Sequence, residues 1–187
     1  MTNGRSTTPH QSAQHVVGLY TAEQKRRRDE SVWTLVQGIL APVQFLVFIV
    51  SAGLVIRTLV NGEGYDLATA SVVLKTLILY TIMITGAIWE KVVFGKYLFA
   101  QAFFWEDVFS MLVLALHTAY LAALWTGGMS KTALLWLALA AYAAYVINAV
   151  QFVLKLRAAR LQAAEMAQKE STPNAENSFA DSEGLPA

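Results

Sequence analysis

The run LVQGILAPVQFLVFIVSAGLVIRTLV, Leu35–Val60, decides the fold. It holds a single charged side chain, Arg57. About 20 apolar residues suffice to cross the hydrocarbon core of a bilayer, and this run exceeds that. Its apolar residues are not confined to one stripe, as those of a soluble bundle helix would be. Three further runs follow, Leu67–Trp89, Tyr97–Trp125 and Thr132–Val153. The pattern predicts an all-α polytopic membrane protein with four transmembrane helices. Pro42 lies near the start of the first, where a kink is tolerable. Between the runs, NGEGYD (Asn61–Asp66), EKVVFGK (Glu90–Lys96, with Gly95 as a break) and TGGMSK (Thr126–Lys131) read as connections. The third run is the least regular. FAQAFF can lie at the interface, with the chain entering the bilayer only near Trp105.

The flanks read differently. Met1–Gln14 is rich in Ser, Thr, Asn and Gln and is expected to be disordered. YTAEQKRRRDE (Tyr20–Glu30) is a short basic segment, so residues 1–30 form a disordered and basic N-terminal stretch. Residues 31–161 form the four-helix membrane domain. Residues 162–187 are the end of a surface helix, KLRAARLQAAEMAQKE (Lys155–Glu170), and a disordered tail from Ser171. No cleavable signal peptide is visible, because the first apolar run comes late and is long enough to span. Basic residues set the orientation. Arg5, Lys25, Arg26, Arg27, Arg28, Lys91, Lys96, Lys155, Arg157, Arg160 and Lys169 fall on one side, and only Arg57 and Lys131 on the other. Both termini and the middle loop are therefore expected in the cytoplasm.

Composition agrees with a bilayer solvent. The chain has 187 residues, 56% of them hydrophobic and 14% charged, against about 25% charged in soluble domains. Its mean hydropathy is +0.44. A net charge of +1 offers no field to attract nucleic acid. The absence of cysteine excludes disulfides, thiolate metal sites and cysteine nucleophiles. There is no Walker loop, dinucleotide fingerprint or HExxH, and one histidine lies in the membrane region, so no multi-histidine metal or haem site forms within one chain. No cofactor is expected.

Ionisable side chains inside a membrane cost roughly 2.5–3.5 kcal/mol at mid-helix by insertion scales, and those that persist usually face an interior. Here they are Lys75, Glu106, Asp107 and His117, with Glu90 and Lys91 at the edge of the second helix. Glu106 and His117 are eleven residues apart and share a face with Ser110 and Val113, about 16 Å apart along the axis. Asp107 is turned about 100° away. Lys75 and His117 lie at one level, while Glu90, Glu106 and Asp107 form a second layer nearer the cytoplasm. Plainer readings stand beside these. Glu90 and Lys91 can sit among headgroups, Lys75 can snorkel, and His117 can be a neutral interhelical hydrogen bonder. Trp105 can mark the interface, with both acids facing outward. Trp89, Phe94, Tyr97, Phe99, Phe103, Phe104, Trp105 and Phe109 form an aromatic belt or the entrance for a flat apolar ligand. Tyr142, Tyr145, Asn148, Gln151 and Gln44 add polar groups to the interior.

The blocks WTLVQGILAPVQFLVF (Trp33–Phe48), LYTIMITGAIWEKVVFGKYLFA (Leu79–Ala100), FFWEDVFSMLVLALHTAYLAAL (Phe103–Leu124) and AAYAAYVINAVQFVLKLRAARL (Ala140–Leu161) resemble the 3-vinyl bacteriochlorophyllide hydratase family. WEKVVFG and FFWEDVFS…ALHTAY are specific strings rather than general hydropathy. The likeness omits only the tails. Gln101 departs from it, since a proline is expected there and would favour a helix start.

The resemblance implies a hydro-lyase of bacteriochlorophyll biosynthesis in photosynthetic bacteria. Water adds across the C3 vinyl group of chlorophyllide a, or of a matching bacteriochlorophyllide, giving a 1-hydroxyethyl group that a dehydrogenase later oxidises. It implies a multi-pass protein of the bacterial inner or intracytoplasmic photosynthetic membrane. Its partners would be a chlorophyllide-type tetrapyrrole, membrane lipid and other pigment-biosynthesis enzymes. Such a reaction needs an acid able to protonate carbon and a group to take a proton from water. The expected roles are Glu106 as proton donor, Asp107 as electrostatic or water-positioning partner, and Glu90 as reserve acid. His117 is either the base or an axial ligand to the pigment magnesium. Trp89, Phe103, Phe104, Trp105 and Lys75 are the expected substrate contacts. The resemblance itself assigns none of these roles. The runner-up reading is a non-catalytic chlorophyll-binding or assembly protein; a small transporter is disfavoured by the lack of an inverted repeat.

Overall fold

The computed structural model describes residues 19–182, all of whose regular elements are helices. The expectation of disorder in Met1–Gln14, and Arg5 with it, lies outside these residues. There are five helices: α1 (Ala22–Glu30), α2 (Val32–Asn61), α3 (Tyr65–Phe94), α4 (Phe104–Thr126) and α5 (Lys131–Ser182). Four of them, α2, α3, α4 and the Lys131–Gln162 part of α5, are long and apolar enough to cross a membrane.

Local chemistry fixes the boundaries. Thr21 and Gln24 form a reciprocal capping box at the start of α1. Ser31 ends α1 and caps α2, accepting from the Trp33 N–H. The basic segment is therefore a helix of its own. Gly62 and Gly64, at φ 75° and 80°, turn the chain from α2 into α3 within three residues, a conformation that favours glycine. Gly95 (φ 81°) ends α3.

Two boundaries correct the sequence reading. Glu90–Phe94 belongs to α3 rather than to a connection. The Tyr97–Trp125 run is helical only from Phe104, so Gln101 lies in the turn before the helix. The reason is local: Gly95 stops α3, and the following backbone is held by carboxylate side chains instead of helical hydrogen bonds, as described below. At the other end, α5 continues through Ser182, so helix enters the stretch from Ser171 expected to be an unstructured tail.

The helices pack as two hairpins, α2 with α3 and α4 with α5, and α1 lies against α3. The side-chain distribution is inverted relative to a soluble bundle. Gln44, Ser51, Lys75, Thr76, Glu90, Glu106, Asp107, Ser110 and His117 are buried, whereas Leu46, Val60, Ile84 and Trp125 point outward. Water would penalise that arrangement, and lipid favours it. Apolar packing fills one end, where Val55, Ala68, Val72, Tyr120, Leu134, Leu135 and Ala138 meet. A second apolar cluster, Leu79, Val113 and Ala144, lies among the buried polar groups.

Candidate active site

The acidic layer is built where α3 ends and α4 begins. Glu90 sits in the last turns of α3, and Glu106 and Asp107 in the first turn of α4. The positive end of the α4 dipole favours carboxylates at that position. All three are buried. The Glu90 and Asp107 carboxyl groups are neighbours in this layer. A hydrogen bond between two carboxyl groups exists only when one of them holds a proton.

The same two side chains hold the loop that crosses between the helices. Asp107 Oδ2 accepts from the Phe99 N–H at 2.7 Å, and Glu90 Oε2 accepts from the Ala100 N–H at 3.3 Å. Phe99 is the one non-glycine residue with positive φ (58°) among the described residues. A left-handed phenylalanine is uncommon, and here a buried carboxylate fixes it.

Glu106 is engaged differently. Lys155, on α5, donates to Glu106 Oε2 at 2.7 Å. That is the arrangement of a carboxylate rather than of a proton donor. Lys155 also lies over the Phe103 ring at 5.0 Å, so one ammonium touches both the acids and the aromatics. One helical turn further along α4, Ser110 accepts from Asn148 Nδ2 at 2.8 Å.

Phe103 is the centre of the aromatic group. It is buried and packs on Trp89, Phe94 and Phe152 at 5.8 Å each, and on Tyr20 at 6.4 Å. Tyr20 reaches in from the segment before α1 and stacks on Phe94. Burial pushes the Tyr20 phenol above its ordinary range, against the opposing effect of Arg28 nearby. Trp89 Nε1 donates to Thr34 Oγ1, and Thr34 Oγ1 donates to the Arg28 carbonyl, joining α1, α2 and α3 beside the site.

A second layer lies about 16 Å away along α4. His117 Nδ1 bonds to the Val113 carbonyl at 2.8 Å, which places the proton on Nδ1 and leaves the Nε2 lone pair free. Nε2 is buried with no hydrogen-bond partner among the described residues, as is Lys75 Nζ. Lys75 instead faces the rings of Tyr145, at 3.9 Å, and Tyr142, at 5.7 Å, and the His117 ring packs on Tyr142. Tyr142 hydroxyl bonds to Ser51, which bonds to Ser71.

Of the expected site residues, the structure brings Glu90, Glu106, Asp107, Trp89 and Phe103 together. It groups Lys75 with His117 at a separate level. Phe104 and Trp105 stand on the outer surface, 44% and 67% exposed, with the Phe104 ring against Phe99 and Trp105. Lys155, Tyr20 and Phe152 were missed. Lys155 counted only as a topology charge, although Asn148, Phe152 and Lys155 recur at helical spacing on one face of α5. That spacing was the available signal.

Residues 20–158 match the family model described as 2-vinyl bacteriochlorophyllide hydratase. The chain belongs to this family. The 2-vinyl and 3-vinyl names denote one substituent under two numberings of the macrocycle, so the resemblance read from the sequence holds. A 2-vinyl bacteriochlorophyllide hydratase of Rhodobacter capsulatus is 68% identical over 146 residues, covering 78% of this chain and 85% of the relative. The protein of that name from Cereibacter sphaeroides is 68% identical over 143 residues, covering 76% and 89%. No solved structure matches. The matched stretch begins at Tyr20 and ends beyond Lys155, so it encloses the acidic layer and its aromatic surround. The family is one of hydratases in bacteriochlorophyll biosynthesis.

Proposed function

We propose that this chain hydrates the vinyl group of a bacteriochlorophyllide at the layer of Glu90, Asp107, Glu106 and Lys155, with the Glu90–Asp107 pair as the acid. The observation that carries this is that two buried carboxyl groups are neighbours beside a third that is already paired with lysine. Two neighbouring carboxyl groups away from water avoid like-charge repulsion by sharing one proton, whereas Glu106 has the Lys155 ammonium as its partner. This exchanges the roles expected from sequence, in which Glu106 was the donor and Glu90 the reserve.

The reaction then balances in two steps. The pair gives its proton to the terminal vinyl carbon, and the inner carbon becomes a cation delocalised into the macrocycle. Water attacks that carbon and passes a proton to Glu106, leaving the 1-hydroxyethyl group. Glu106 and Asp107 are adjacent on the first turn of α4, so the proton returns to the pair within the layer. The carboxylates also stabilise the cation while it exists. Trp89, half-buried against the Phe103 ring, offers apolar surface on which a flat macrocycle packs. His117, about 16 Å along the helix, lies outside this proton transfer; its free Nε2 is suited to hydrogen bonding or to the pigment magnesium.

The basic-residue distribution supports an orientation with both termini in the cytoplasm, and so a multi-pass protein of the bacterial inner or intracytoplasmic membrane with the acidic layer at the cytoplasmic end. Neighbouring pigment enzymes remain expected partners. The experiment is conversion of the 3-vinyl pigment by membranes carrying Glu90→Gln, with insertion verified. A fall of about a hundredfold or more is expected; wild-type turnover would remove the pair from the mechanism.

A further inference from the structure

The geometry points to Lys155 as the residue that recognises the free propionate of the pigment, exchanging Glu106 for the substrate carboxylate. This rests on the vinyl-hydration reading above. Four observations lead to it. Lys155 already holds a carboxylate in this structure, at 2.7 Å. Its side chain is about one-quarter exposed, 26%, whereas Glu106 is 9% exposed, so the lysine is the member of the pair that an incoming group meets first. Lys155 also lines a groove of about 310 Å³ with Leu19, Ala158, Ala159 and Gln162. Finally, its ammonium lies over Phe103, whose ring packs on Trp89, the aromatic assigned to the macrocycle.

The chemistry of the substrate class supplies the partner. A bacteriochlorophyllide, as distinct from the esterified pigment, ends in a propionic acid that is ionised at neutral pH. A groove of about 310 Å³ cannot enclose a tetrapyrrole, but it accepts a substituent of that size. Its walls are two alanines, a leucine and Gln162, with Lys155 as the cation, so they match a short alkyl chain ending in a carboxylate. Leu19, just before α1, forms part of the groove wall.

Engagement of the propionate withdraws the ammonium from Glu106. Glu106 is then an unpaired carboxylate beside the reacting carbon, better able to take the proton from water. Binding of the acid form of the pigment is thereby coupled to assembly of the base, and no covalent step is involved. An esterified pigment would leave Glu106 tied to Lys155.

The test compares the free acid and the methyl ester of one 3-vinyl pigment as substrates, in membranes carrying wild type, Lys155→Met or Lys155→Arg. Wild type is expected to favour the acid in kcat/KM by about tenfold or more, the scale of one charge-assisted hydrogen bond. Lys155→Arg should retain the preference, and Lys155→Met should convert acid and ester at similar rates. Equal use of acid and ester by wild type overturns the proposal without any variant, as does a preference that survives in Lys155→Met. If wild type hydrates neither pigment, the vinyl-hydration reading fails instead, so the two failures are distinct.

Discussion

Asp107→Asn separates the chemistry of the carboxyl pair from its structural work. The amide oxygen still accepts from the Phe99 N–H, now made at 2.7 Å, and the amide NH₂ can donate to a Glu90 carboxylate in place of the shared proton. What disappears is the exchangeable proton between two carboxyl groups. General acid catalysis by a positioned side chain is worth about 10²–10⁴ in rate, or about 3–5 kcal/mol of barrier at 1.36 kcal/mol per decade. Asp107→Ala removes the same proton but also orphans the buried Phe99 N–H, at a further cost of about 1–3 kcal/mol of stability. That N–H belongs to a residue held at φ 58°, and without it the side-chain hold on the loop is the longer Ala100–Glu90 hydrogen bond, 3.3 Å. Both variants should therefore lose turnover of the vinyl pigment, and only the alanine should lose thermal stability in detergent. Because the proton is shared, Glu90→Gln with Asp107→Asn should fall no further than either alone. An asparagine variant within about threefold of wild type refutes the reasoning. So does one as unstable as the alanine, since its lost rate would then be structural.

Two other substitutions test the packing around the site. Phe103→Ala removes a buried ring that touches four others and should cost about 3–5 kcal/mol in unfolding measurements; Trp105→Ala, on the outer surface, should leave KM for the pigment within about twofold. In the second layer, Tyr142→Phe cuts the link from Ser51 and should lower stability by about 0.5–1.5 kcal/mol while leaving the rate of hydration unchanged.

The spans were legible in the sequence because hydropathy over 20 or more residues has no competing cause. The eleven-residue spacing also placed Glu106, Ser110, Val113 and His117 on one buried face. Pairing across helices was not legible. Nothing in FFWEDVFS tells that Asp107 meets Glu90, seventeen positions away, while Glu106 meets Lys155, forty-nine away. Adjacent residues on a helix point about 100° apart, so neighbours in sequence acquire different partners and different roles. The start of α4 was obscure for a related reason. Tyr97–Phe103 is as apolar as a helix, and only the side chains of Glu90 and Asp107, donated to by Phe99 and Ala100, show why the backbone there is not helical.

The charge of the layer suits a cationic intermediate. With the one shared proton proposed above, three carboxyl groups and one lysine leave one net negative charge. Giving the proton to the vinyl carbon raises the layer to two negative charges at the moment the macrocycle becomes positive. Unit charges about 4 Å apart attract by about 4 kcal/mol at an effective dielectric of about 20, close to a thousandfold in rate. That attraction exists only after proton transfer, so it lowers the barrier without tightening binding of the neutral vinyl group. If the substrate propionate occupies Lys155, its negative charge cancels the lysine, and Glu106 faces the cation unshielded. The same ammonium that stabilises Glu106 in the empty site would otherwise repel the cation, so the site works best when the substrate itself takes that ammonium away.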